Sequence, residues 1–152
     1  MHTIKFVLIF VLQILLVYAL SNRVAIADEV SDLSNYQVQE ITSGNYVHVG
    51  NFPPQDTHNH GDVANIGFIV GSKCVAVIDT GSSIHVGSLL KDAIHKVTSL
   101  PICVVVITHV HPDHLLGLNA FAEDLTVTVY GHHRLPKQIR KRSKYYLEML
   151  QR

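Results

Sequence analysis

The stretch PICVVVITHVHPDHLLG, residues 101–117, sets an apolar run directly against a knot of side chains that bind metals. Ile102 to Ile107 read as a buried strand, and Pro101 suits its first position, where proline is tolerated. Beyond the run, His109, His111, Asp113 and His114 fall within six positions. In extended backbone, residues two apart face the same side, separated by roughly 6 to 7 Å at about 3.3 Å per residue. His109 and His111 can therefore address one ion. Pro112 biases His111 away from the helical region. The backbone then turns at Asp113-His114 into the LLGL helix, which swings a carboxylate and a third imidazole towards the same space. Unpaired polar groups at the mouth of a core strand are costly, so cap and turn roles do not account for four of them. Imidazole and carboxylate together suit zinc, with iron or manganese as alternatives.

Upstream, NIGFIVG (65–71) and CVAVIDTG (74–81) read as two strands joined by a tight turn at GSK. Both are almost wholly apolar, the pattern of strands covered on both faces. Asp79 stands at the C-terminal edge of the second, where α/β folds place their ligands. It reads equally as a cap or turn residue and as a carboxylate that orients ligands from behind. SSIHVGSLLKDAIHKVTS (82–99) carries Ile84, Leu89, Leu90, Ala93, Ile94 and Val97 at helical spacing, with His85 and His95 on or beside the polar side as solvated histidines.

Downstream, LLGLNAFAED reads as a short helix, LTVTVYG as a strand and LPKQIRKRSKYYLEMLQR as a final helix. Strands alternating with helices define an α/β layer with parallel pairing. Nearer the N-terminus, SDLSNYQVQEITSG and NYVHVG alternate weakly and read as a short antiparallel edge. NFPPQDTHNHGD is a loop, and its His58 and His60 are expected to be solvated.

The chain has 152 residues, enough for one domain with a core. Its formal charge is zero with histidine neutral, which argues against a nucleic-acid partner. Lys5, the apolar block Phe6 to Leu20, and Ala25 and Ala27 ahead of Asp28 follow the pattern of an export signal. The block is shorter than the roughly 20 residues that span a bilayer. The expectation is a signal peptide over 1–27 and a mature domain over 28–152, exported or periplasmic. Membrane contact through this segment requires that it stay uncleaved. Cys74 and Cys103 fall in predicted neighbouring strands; a disulfide is possible in an oxidising compartment, but two small buried thiols are the expectation.

His109-x-His111-x-Asp113-His114 after an apolar strand resembles the HxHxDH signature of the metallo-β-lactamase superfamily, and NIGFIVGSKCVAVIDTG resembles that family's opening strands and strand-end aspartate. The resemblance runs from about Tyr46 to the C-terminus. It implies an αββα sandwich, of which this chain supplies the first αβ half. It implies one or two zinc ions, with His109 and His111 on the first, Asp113 and His114 on the second, Asp113 as the catalytic carboxylate, and Asp79 behind the site orienting ligands. Activity implied by the resemblance is hydrolysis, a metal-bound hydroxide attacking an ester, thioester, lactone or amide carbonyl of a small-molecule substrate. NHGDVANIGFIVG, PICVVVITHVHPDH and YGHHRLP look most like the exported zinc metallohydrolases of quinoprotein relay systems, which associates the chain with a periplasmic quinoprotein dehydrogenase system.

The family draws further ligands from segments beyond this chain's last residue, so a truncated, catalytically incompetent metal-binding fragment is the alternative expectation, with a non-hydrolytic periplasmic accessory as a third. His132 and His133 are the only later candidates and read as loop histidines. From Arg134 onwards there are seven Lys or Arg against Glu148. Such a basic amphipathic helix can lie on anionic membrane, but a structural helix is expected.

Overall fold

A computed structural model describes residues 36–51, 61–122 and 126–150. The export segment, the cleavage site and the loop histidines His58 and His60 lie outside these residues. The strands are β1 (Gln39–Thr42), β2 (Asn45–His48), β3 (Ile66–Val70), β4 (Val75–Ile78), β5 (Ile102–Ile107) and β6 (Thr128–Gly131). The helices are α1 (Ile84–Val97), α2 (Pro112–Leu115) and α3 (Leu135–Leu150), with a 3-10 helix over Leu116–Phe121.

The six strands form one sheet in sequence order. β1 to β4 pair antiparallel, whereas β4, β5 and β6 run parallel. The change of direction follows from connection length. The short GSK turn closes a hairpin, while a parallel partner needs a crossover of a dozen or more residues, and α1 supplies it. β4 and β5 therefore end at the same edge, which places Asp79 beside Thr108.

α1 begins at Ser83, whose hydroxyl accepts from the backbone N–H of Val86 at 3.2 Å. Its buried side carries Val86, Leu90, Ala93 and Ile94 against Phe68, Val75, Val77 and Val105 of the sheet. Ile84 and Val97, placed by periodicity on the apolar side, sit exposed at the helix ends. The expected short helix from Leu115 is a single α turn that tightens into the 3-10 helix. Gly117 explains the tightening: its N–H donates to the Gly81 carbonyl at 2.9 Å, and any Cβ there would collide with the Thr80 carbonyl.

Two expectations are corrected. β3 and β4 are covered on one face only among the described residues; on the other, Ile69 is 43 % exposed and Ala76 and Ile78 are half-buried. An open groove of about 230 Å³ crosses that face, lined by Ile41, Val47, Ile69 and Ile78 among others. The second correction concerns the cysteines. Cys74 and Cys103 are bonded to each other rather than free. Residue 74 immediately precedes β4 and residue 103 lies in parallel-paired β5, so their Cα atoms are 5.8 Å apart, within the range a disulfide spans.

Candidate metal centre

β4 and β5 deliver Asp79 and Thr108 side by side at the carboxyl edge of the sheet. Asp79 has φ 58, a left-handed conformation that Asp tolerates better than most residues. The turn is held from both sides: the Asp79 N–H donates to Val106 O at 2.9 Å, and the Thr80 N–H donates to His114 O at 2.8 Å. The residue is 4 % exposed and its carboxylate is fully engaged. Its Oδ1 accepts from the Thr108 N–H at 2.8 Å, and its Oδ2 lies 2.7 Å from the Thr108 hydroxyl and 2.8 Å from His114 Nδ1.

These contacts fix two imidazole tautomers. A carboxylate accepts only, so His114 Nδ1 carries a proton, and Nε2 is the nitrogen that can take a metal when the ring is neutral. The Thr108 hydroxyl has one proton, spent on Asp79. His109 Nδ1, 2.9 Å from that hydroxyl, must therefore donate to it, which leaves His109 Nε2 as a free base. One buried carboxylate thus presents two metal-binding nitrogens, the arrangement by which outer partners orient ligating histidines. The His109 pKa is held below the ordinary histidine value by desolvation first, then by His114 and His111, against the opposing pull of Asp79 and Asp113. The neutral ring is the form a metal takes.

The donor set fits zinc. Ligands of one tetrahedral zinc sit roughly 3.3 Å apart, given bonds of about 2.0–2.1 Å. His109 Nε2 lies 3.1 Å from His111 Nδ1, and His114 Nε2 lies 3.3 Å from Asp113 Oδ2. The first pair is in hydrogen-bond contact and the second in ion-pair contact, at a spacing that two donors on a common ion also take. Donor atoms of Asp79, His109 and His114 also lie within 4.8 Å of one another, a second grouping able to hold an ion. In that grouping three hydrogen bonds already occupy the Asp79 oxygens. The His109 ring stands 4.7 Å from that of His111 and 4.1 Å from that of His114, centroid to centroid.

The structure brings His109, His111, Asp113, His114 and Asp79 into one cluster. His132 and His133 remain outside it, exposed between β6 and α3 with rings 4.2 Å apart. His85 and His95 are exposed on α1. Sequence reasoning passed over Thr108, whose signal was its position between a buried strand and the first histidine. It also passed over His48, which sits on the core-facing side of an alternating strand.

A mixed sheet with α1 packed on one face and a strand-end cluster of histidines and carboxylates defines an α/β domain able to hold a metal. The profile of the Metallo-beta-lactamase superfamily matches residues 61–151, and the chain belongs to that superfamily. Solved structures similar to it include TMB-1, at 19 % identity and TM-score 0.56 over 71 % of this chain and 48 % of that one. FIM-1 from Pseudomonas aeruginosa, a metallo-beta-lactamase in its mono-zinc form, gives 19 % identity and TM-score 0.54 over 67 % and 46 %. A metallo-beta-lactamase from Hirschia baltica gives 17 % identity and TM-score 0.59 over 71 % and 48 %. At these identities the likeness shows the fold. The chain spans about half the length of the solved structures it matches. No curated protein matches the sequence.

Proposed function

We propose that the chain is a zinc-dependent hydrolase, with His109, His111, Asp113 and His114 as ligands and Asp79 as the residue that positions them. The observation that carries this reading is the Asp79 hydrogen-bond fan, which engages Nδ1 of both His109 and His114 and leaves their Nε2 atoms as the nitrogens that can take a metal. Zinc, when bound, supplies a Lewis acid and an activated water for attack on an ester, thioester, lactone or amide carbonyl. The residues contribute position and charge. Thr108 and Asp79 hold two rings in one tautomer, Asp113 adds a negative charge beside His114, and burial of Asp79 keeps water from competing for its hydrogen bonds.

Export is part of the proposal. It is supported by the signal-like N-terminus and by the Cys74–Cys103 disulfide, a bond that persists in oxidising compartments. Assignment to a periplasmic quinoprotein relay system rests on the motif likeness alone. Metal binding without turnover is the second reading, favoured by the engagement of both Asp79 oxygens in hydrogen bonds, which leaves two donors in each close pair where a catalytic zinc takes three protein ligands. Assay of the zinc-loaded full chain on ester, thioester and lactone substrates separates the two. Turnover abolished by chelator and by His114→Ala is expected; bound zinc with no turnover on any substrate would favour the second.

A further inference from the structure

A second buried titratable pair lies apart from the metal cluster. His48, at the end of β2, and Asp62, in the loop before β3, are each 5 % exposed. His48 Nε2 is 2.7 Å from Asp62 Oδ1, and Nδ1 is 2.8 Å from the Gln37 carbonyl. The ring of Tyr36 stacks on His48 at 3.8 Å. Asp62 Oδ2 accepts from Asn51 Nδ2 at 3.2 Å.

A carbonyl oxygen only accepts, so Nδ1 must carry a proton. The other nitrogen faces a carboxylate oxygen at hydrogen-bond distance, and one proton must lie between them. Whichever atom holds it, the pair carries one proton more than a carboxylate beside a neutral imidazole. Removing that proton leaves a nitrogen lone pair facing a carboxylate oxygen, in a place largely closed to water. Two acceptors cannot keep that separation without cost.

We propose that His48 and Asp62 form a pH-operated latch on the loop that backs the turn after Asp79. The closed pair ties the chain at Gln37 to residues 61–65. Further bonds spread the tie: Asn51 N–H donates to Asp62 O at 2.8 Å, and Gly50 N–H donates to Asn65 Oδ1 at 3.2 Å. At its other end the loop meets the turn after Asp79, where the buried Ser82 hydroxyl donates to the Gly61 carbonyl. Loss of the proton would free residues 61–65 and remove that support. The latch is independent of whether the chain hydrolyses anything.

Burial lowers the His48 pKa, but the Asp62 hydrogen bond, the Gln37 carbonyl and the Asp62 charge outweigh it and raise the value above the ordinary histidine range. A raised folded-state value stabilises the fold below the unfolded pKa of about 6.5 and loses that contribution as pH climbs through the folded one. Among the described residues, the titratable groups against His48 are Asp62 and Tyr36. Desolvation and then Asp62 push the Tyr36 hydroxyl upward, so it stays neutral throughout this window.

The test is an NMR titration of the full chain, following the His48 ring nitrogens and the Asp62 carboxyl carbon from about pH 6 to about pH 9. Amide exchange of residues 61–65 and 80–82 is measured at the same pH values and corrected for intrinsic rates. The expected result is one proton leaving the pair above the ordinary histidine value, with protection of residues 61–65 falling about tenfold or more as it leaves. His48→Gln should show the low protection at every pH. A pair that loses its proton below the ordinary value, or protection that does not change across the titration, would overturn the proposal. The wild-type titration decides the matter even if the variant fails to fold.

Discussion

The Thr108 hydroxyl makes one hydrogen bond forward to Asp79 and receives one back from His109, and the direction of each follows from its single proton. Thr108→Val keeps the shape and removes the relay. Its zinc affinity should fall about 10–100-fold, the usual cost of losing an outer partner, measured by competition with a chromophoric chelator. An unchanged affinity would mean that the His109 tautomer is set elsewhere. The four motif residues were legible because so many donors at a strand end have no bland explanation. Asp79 was legible only as an alternative between capping and orienting, since that choice depends on what its oxygens touch. His48 was not legible at all. One histidine in an alternating strand acquires meaning only when a loop residue fourteen positions away supplies a carboxylate at 2.7 Å.

At the scale of elements, α1 is held by burial along one stripe. Leu90 is fully buried beneath the sheet, so Leu90→Ala should cost about 2–5 kcal/mol in urea unfolding. A loss under about 0.5 kcal/mol, the level of a surface change, would contradict that packing. Gly117 lets the 3-10 helix approach the turn after Asp79, and Gly117→Ala should cost about 1–3 kcal/mol by overpacking. The Cys74–Cys103 bond closes a separation of 29 residues. Reduction should remove about 3–4 kcal/mol on loop-closure entropy, seen as a lower unfolding midpoint in reductant. A midpoint that does not move would mean that the bond does not form in solution. Periodicity found α1, and turn length found the β3–β4 hairpin. The disulfide escaped because pairing depends on register, and the 3-10 tightening escaped because it depends on a backbone contact between distant segments.

For the whole molecule, strand direction was readable because connection lengths constrain it: a three-residue turn reverses the chain, and a helix returns it in parallel. Coverage of the sheet was not readable. Apolar runs state that a strand can be buried on both faces, yet Ile69 at 43 % and Tyr130 at 57 % exposure face outward among the described residues. Among those residues no helix is long and apolar enough to cross a membrane. Helix α3 bears its cations outward, with Lys144 near Glu148 at 4.0 Å, while Tyr146 is buried. The sheet edge where β4 and β5 both end is what gathers residues 79, 109, 111, 113 and 114 into one place. Zinc content of the purified full chain, beside that of His109→Ala and His111→Ala, examines this convergence directly. About one or two equivalents per chain are expected in the parent and a clear loss in each variant; a parent without zinc after reconstitution, or variants that hold as much as the parent, would contradict it.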